Sequence, residues 1–339
     1  MQAAQLNKYQ SNFKLTINQI EQPVVTEHDV LVKVRYAAVN PVDLLVGTGS
    51  VRLIQDYAMP LIMGNELSGV VERIGSGVAK FKVGDAVYGR LPLSKIGAFA
   101  EFVAIDQAAL AKMPSELDFK HSAAVPLTGL TAYQALHDEL HAHTGQSVMI
   151  PGGSGSFGQL AIPMAHAMGL KVMVSGNKAG REVAFKLGAD QYFDYWAENY
   201  WEQLEPVDFV IDTVGVKELS HELMVLKPGG TLLSLRMGPN RQFAVRQRVA
   251  IWKRPLFTLA GWKLDRQAQR AGVTYRFIFV QSDGEQLDKI TRLVEAQQLV
   301  PAIEPRVFQL TEINDALDLV ANGHPRGKVL VRMDSGVIN

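Results

Sequence analysis

The residues with the plainest chemical purpose lie between Val148 and Gly158, where the chain reads VMIPGGSGSFG. Gly153, Gly155 and Gly158 make a G-x-G-x-x-G, overlapped by a G-x-x-G-x-x-G that starts at Gly152. An apolar run, Ser147–Pro151, leads into these glycines and a helical pattern, Leu160–Met168, follows them. That is the context in which such a loop binds a dinucleotide. The glycines allow a tight turn and let the backbone approach a pyrophosphate. Free N–H groups around Ser154, Ser156 and Phe157 then face the phosphate charge. The serines do not read as a hydrolase elbow, because neither has glycine at both −2 and +2.

The next strand decides between cofactors. An NAD-binding domain carries an acid about 20 residues beyond the glycines for the ribose 2′-OH. Here the strand ends Val174-Ser175-Gly176-Asn177-Lys178, and no acid comes before Glu182. Lys178 and Arg181 stand where a 2′-phosphate needs cations, and Ser175 can donate a hydrogen bond. The expected cofactor is therefore NADP(H), although a solvated helix start would also place cations there.

Composition removes other chemistries. With no Cys among 339 residues there are no disulfides, Fe–S clusters, thiol nucleophiles or thiolate zinc sites. His137-Asp138-Glu139-Leu140-His141 resembles a zincin helix, but HExxH needs Glu directly after the first His. No metal is expected. Lys and Arg number 34 against 34 Asp and Glu, so no global field draws the chain to nucleic acid or to a membrane. The charge-free run between Glu139 and Lys171 is broken by Gly152, Gly153, Gly155 and Gly158, with Pro151 and Pro163, so it does not read as a spanning helix. With no secretory signal visible, the default expectation is a soluble cytoplasmic protein.

The elements that must hold these residues change character along the chain. Up to about residue 120 the texture is mostly β, with short runs at 30–34, 67–74, 86–88 and 100–104 separated by turn signals. Beyond it, apolar strands alternate with helical stretches: strands near 147–151, 171–175, 191–194, 207–212, 231–235 and 273–280. That alternation predicts βαβ units and a parallel sheet covered on both faces. The last 55 or so residues are too few for a domain of their own. The expected fold is α/β: a doubly wound domain over 125–282, inserted in a mostly-β domain formed by 1–124 and 283–339.

The chain resembles the medium-chain dehydrogenase/reductases, and among them the zinc-independent quinone oxidoreductases. The landmarks are AVNPVD at 38–43, GNELSGVV at 64–71, VGDAV at 83–87, PLTGLTAY at 126–133 and GHPRGKVL at 323–330. The resemblance implies a GroES-like catalytic domain interrupted by a Rossmann domain, with the active site in the cleft between them. Zinc alcohol dehydrogenases carry a Cys where this chain has Asn40 and a His where it has Asn65, and an amide is a poor replacement for either. It also places Thr131 near the nicotinamide, Gly152 through Gly158 at the pyrophosphate, and Ser175, Gly176, Asn177, Lys178 and Arg181 at the 2′-phosphate. Tyr195 falls beside the adenosine. Val214, Gly215, Ser234, Leu235, Phe279 and Val280 run along the cofactor, with Lys328 as a further contact. Leu45 stands where several quinone oxidoreductases have a Tyr near the substrate, and Tyr57 is a possible substitute.

Without a Lewis acid the acceptor must already be electrophilic, so the expected reaction is NADPH reduction of a quinone or of an α,β-unsaturated carbonyl. Asn40 and Asn65 are the expected polar groups near the acceptor oxygen, and Asp43 an exposed, ionised orienting residue. Water or Tyr57 would supply the proton. An enoyl-thioester reductase is one alternative, and an NADPH-regulated RNA-binding protein another. Both draw on segment 239–272, which holds eight Lys and Arg against a single acid, Asp265, with Trp252, Phe257 and Trp262 interleaved. An amphipathic helical excursion shaping a substrate lid explains the segment equally simply. Strand 274–280 would be an open sheet edge, and the family resemblance implies a homodimer that covers it.

Overall fold

The structure is a computed structural model that describes residues 1–333; the last six residues of the expected 283–339 segment lie outside it. The chain forms two compact units. One comprises Met1–Leu130 and the residues from Gln281 on, the other Thr131–Val280.

Unit 1 begins with β1 (Gln2–Leu6), β2 (Thr16–Gln19), β3 (Asp29–Val39), β4 (Leu61–Ile62), β5 (Glu66–Ile74), β6 (Ala86–Arg90), β7 (Phe102–Asp106) and β8 (Leu110–Lys112). Unit 2 holds β9 (Ser147–Ile150), β10 (Lys171–Gly176), β11 (Gln191–Asp194), β12 (Val207–Asp212), β13 (Leu226–Ser234) and β14 (Thr274–Phe277). The chain then re-enters unit 1 through β15 (Phe308–Gln309) and β16 (Val329–Arg332).

Two registers in unit 1 matter for chemistry. In the sheet β15-β16-β3-β5-β6-β8, β16 runs antiparallel to β3 with Val329 opposite Val39. Lys328, one residue before, thereby arrives beside Asn40, one residue after. Likewise β5 pairs with β6 so that Glu66 faces Arg90. Directly opposed residues share a face of the sheet, so these two charged side chains point the same way.

The strands of unit 2 form a parallel sheet in the order β11-β10-β9-β12-β13-β14. Numbered within the unit this is 3-2-1-4-5-6, the doubly wound order of dinucleotide-binding domains. Its central strands are apolar on both faces, with Val148, Met149, Ile150, Val210, Ile211, Leu232 and Leu233 all sealed from water. The helix after the glycine loop, Ser156–Ala167, is unbroken through Pro163.

One stretch differs from its sequence pattern, and another, 239–272, is helical as expected. The apolar run 273–280 pairs only over Thr274–Phe277 and only with β13, so β14 is the sheet's edge. Segment 239–272 folds mainly as helices Arg241–Arg246 and Arg254–Arg270. The long helix buries Phe257, Gly261 and Ala268. Phe257 packs on Phe243 at 6.0 Å between centroids, and Phe243 meets Phe277 of β14 edge-on at 5.2 Å. Among the described residues no helix is long and apolar enough to cross a membrane. Because Phe257 is fully sealed, Phe257→Ala should cost ~3–5 kcal/mol of stability, read as a lower midpoint in thermal unfolding.

Candidate active site

At the carboxyl edge of the parallel sheet the loop after β9 is shaped by its glycines. Gly152 turns with φ +69°, a conformation that favours glycine. A Cβ at Gly158 would run into the carbonyl of Gly153, whereas one at Gly155 would meet nothing closer than 3.7 Å. The third glycine therefore lets the helix pack against the loop, and the second leaves an open approach to backbone. Gly155 is the N-cap of helix Ser156–Ala167 and supplies no capping side chain, so the first-turn N–H groups are free to meet an anion.

The loop after β10 lies alongside. Ser175 is buried, and its hydroxyl accepts a 3.4 Å hydrogen bond from the Gly152 N–H. Asn177 caps the following turn through Gly180 N–H at 3.0 Å. Lys178 is exposed, with no ion-pair partner among the described residues, whereas Arg181 is already paired with Glu198 at 2.7 Å. Tyr195 is exposed beside Trp196, and its N–H donates to the Gly176 carbonyl at 3.1 Å.

The loops after β12 and β13 are joined by a buried acid that sequence reading missed. Asp212 Oδ1 accepts from the N–H groups of Val214 and Gly215 at 2.8 and 2.6 Å, and its Oδ2 accepts from Ser234 Oγ at 2.5 Å. Ser234 Oγ in turn accepts from the N–H groups of Arg236 and Met237. The Ile278 N–H reaches the Ser234 carbonyl at 3.3 Å, which ties in the segment leading to Phe279 and Val280. Buried Glu222 stays protonated near neutrality, because burial and then the charge of Asp212 push its pKa up to about 10. The signal for Asp212 was an acid closing an apolar strand.

Unit 1 contributes a second, fully dry cluster. The Lys328 ammonium donates to Asn40 Oδ1 at 2.6 Å and Thr128 Oγ1 at 2.8 Å, and pairs with Glu66 Oε1 at 2.8 Å. Asn40 Nδ2 donates to Glu66 Oε1 and to the Ala38 carbonyl, at 2.8 and 3.1 Å. The other Glu66 oxygen accepts from the Leu127 N–H at 2.7 Å. One Asp43 oxygen accepts the Asn40 N–H at 2.8 Å and the other accepts Asn65 Nδ2 at 2.7 Å. Arg90 is sealed nearby, donating Nη1 to the Leu91 carbonyl while Nε and Nη2 find no partner among the described residues.

This geometry alters four expectations. Asp43 is not exposed but 0% accessible, and burial pushes its pKa up to about 7, although N–H donors from Asn40 and Asn65 restrain the rise. Asn40 has already spent its amide donors within the cluster, and the Asn65 amide donates to Asp43 with Oδ1 left unpartnered. All three protons of Lys328 have acceptors inside unit 1. Tyr57 gives its hydroxyl proton to the Leu93 carbonyl at 2.8 Å, and burial raises its pKa. Glu66, Arg90 and Lys328 form the cluster's charged heart, with the Thr128 hydroxyl as a neutral acceptor. Only a charged pair set in otherwise apolar strands hinted at this.

Two family models match the chain: an alcohol dehydrogenase GroES-like domain over residues 26–115, and a zinc-binding dehydrogenase over residues 187–331. The chain is 30% identical over 353 residues to the NAD(P)H oxidoreductase RTN4IP1, mitochondrial, of Danio rerio, covering 98% of this chain and 91% of that protein. It is 30% identical over 318 residues to the 2-methylene-furan-3-one reductase of Solanum lycopersicum, covering 91% and 73%. The solved quinone oxidoreductase of Coxiella burnetii superposes with a TM-score of 0.80 at 27% identity, covering 98% and 99%. The zinc in one model's description does not fit the residues here. Two amides stand in place of the ligands, and an ammonium lies 2.6 Å from the oxygen of one of them.

The buried carboxyl of Asp43 should mark the pH profile of stability. Its folded pKa lies above the ordinary 3.8, so its contribution is fully present below pH 4 and is lost as pH rises toward 7. The window is worth at most ~4 kcal/mol. In Asp43→Asn, the decline of thermal unfolding midpoints between pH 5 and 7 should be shallower, with the raised pKa of Glu222 supplying what remains. The Asn65 amide can turn its unpartnered Oδ1 to accept from the new side chain.

Proposed function

Because the chain belongs to the medium-chain dehydrogenase/reductase family, of the quinone oxidoreductase type, and is an oxidoreductase with a nicotinamide cofactor, we propose that it is a zinc-independent NADPH reductase of quinones or activated C=C bonds. The observation that carries this reading is the Lys328 ammonium seated against Asn40 and Glu66, where an alcohol-oxidising relative would need a metal. A fixed organic cation can steady negative charge, but it cannot bind and acidify an alcohol as zinc does. The acceptor must bring its own electrophilicity, as a quinone or an enone does. The match to a 2-methylene-furan-3-one reductase favours the same class.

When bound, reduced nicotinamide supplies the hydride. The open backbone at Gly155 and the first-turn N–H groups of helix Ser156–Ala167 take the pyrophosphate. Lys178 meets the 2′-phosphate with help from Ser175 and Arg181, and Tyr195 lies along the adenosine. Asp212 holds Val214, Gly215 and Ser234 in place for the nicotinamide half, which Thr131, Leu235, Phe279 and Val280 complete. Lys328 acts with Arg90 as a charge of the buried cluster rather than as a cofactor contact. Their field offsets the charge that develops on the acceptor oxygen, for which Asn40 has no spare donor. Asp43 is sealed and accepts hydrogen bonds on both oxygens, and Tyr57 donates to the Leu93 carbonyl, so water supplies the proton to the reduced carbon. The open edge of β14 supports assembly as a homodimer through that strand.

Oxidation of NADPH and NADH against a naphthoquinone, a medium-chain alkenone and crotonyl-CoA tests the reading. NADPH should be consumed with the first or second acceptor, and chelation of metal ions should leave the rate unchanged. Turnover on crotonyl-CoA alone would make the enzyme a thioester reductase, and NADPH binding without any turnover would favour the RNA-binding alternative. A preference for NADH would overturn the cofactor assignment. Lys178→Ala should raise the KM for NADPH roughly tenfold while leaving that for NADH in place. Light scattering that found a monomer would remove the dimer.

A further inference from the structure

Helix Arg254–Arg270 carries two apolar stripes. The inner one, through Phe257, Gly261 and Ala268, is buried in unit 2. The other repeats at 252, 256, 259 and 262, the spacing of a second helical face, and it faces out. Trp252 is 73% exposed, Leu259 78% and Trp262 56%, with Ile251 just before them at 76%. Of these, Ile251, Leu259 and Trp262 line a shallow groove of about 840 Å³ together with Pro255, Thr258, Arg241 and Arg254. Isolated exposed apolar residues are ordinary on a protein surface, but a continuous stripe of this kind marks an interaction site.

Its charge identifies the occupant. Residues 239–272 hold eight cations and one acid, and that acid, Asp265, is engaged by Asn240 at 2.7 Å. Lys253 stacks over Trp252 at 5.2 Å and Arg266 over Trp262 at 5.3 Å, so cations flank the apolar stripe at both ends. Two copies of this face brought together would set like charges against each other. A nucleic acid would use the cations and indoles, yet it would leave Ile251, Leu256 and Leu259 in water. An anionic bilayer satisfies every group at once. Acyl chains accept the aliphatic side chains, the interfacial layer suits the indoles, and the headgroups meet the cations.

We propose that the outer face of helix Arg254–Arg270, with Ile251 and Trp252, docks the protein peripherally on an anionic lipid surface. The balanced total charge of the chain conceals this local excess, which is why composition alone predicts no membrane partner. Docking is independent of which acceptor the enzyme reduces.

Co-sedimentation of the full chain with vesicles tests the proposal, using phosphatidylcholine alone and a 3:1 mixture of phosphatidylcholine with phosphatidylglycerol. Binding should require phosphatidylglycerol, weaken with added salt and shift tryptophan emission to the blue. Leu259→Glu should lower the partition coefficient roughly tenfold or more. Lys263→Glu should lower it about fivefold, and both variants should retain the parent's NADPH oxidation with a soluble naphthoquinone. Absence of binding to the mixed vesicles overturns the proposal, as does binding that neither variant weakens. It also fails if Leu259→Glu instead halves the mass in solution, which would make a second copy the occupant. Capture of a single-stranded RNA oligomer without vesicle binding is equally fatal to it.

Discussion

One cluster in unit 1 buries two carboxyls and two cations, and none of the four could lie in a dry interior alone. Removing one partner of a buried ion pair typically costs ~3–5 kcal/mol, because the other charge is stranded. Asp43, Glu66, Arg90 and Lys328 therefore constrain the unit more tightly than any apolar contact in it. The constraint fixes register. Glu66 must oppose Arg90 across β5 and β6, and Lys328 must stand at the end of β16 nearest Asn40. A shift of one residue in either pairing would send a charge to the wrong face of the sheet.

Unit 2 depends on a similar device at smaller scale. The acid closing β12 collects N–H donors from its own loop and a hydroxyl from β13, so one carboxylate holds two segments, and the Ser234 carbonyl ties in a third. Glu222 stays protonated next to it, which spares the interior a second negative charge. Both units thus place ionisable groups where water cannot compensate them. Two remedies are used: opposite charges, as in the unit 1 cluster and at Glu139 with Arg246 and Arg276, and a retained proton at Glu222.

The alternation of strands and helices in unit 2 was legible because its signals are local. Each strand is a short apolar run, and the glycine loop announces both its turn and its helix. Unit 1 was legible mainly as texture and as a family resemblance. What escaped was burial. Asp43 looks exposed from its neighbours, Pro41 and Val42, and only a β16 that returns from far along the chain encloses the region around it. Lys328 lies 288 positions from Asn40, a distance no local pattern reports. The edge strand was overestimated for the opposite reason. The run to Val280 is rich in aromatic and β-branched residues throughout, but pairing stops at Phe277, and composition does not register where a ladder ends.

The return of β16 also bears on how the chain is made. Glu66 and Asn40 leave the ribosome long before Lys328, and the whole of unit 2 is synthesised in the interval. Domains fold largely as units during synthesis, so unit 2 can be complete while the sheet of unit 1 still lacks its closing strand and Glu66 has Arg90 opposite it but not yet Lys328. Throughout that interval Tyr36–Val39 of β3 lack the ladder that β16 will supply, while β7 already covers Asp29–Lys33. Only the strand that follows Lys328 completes the ladder and the charge cluster in one step.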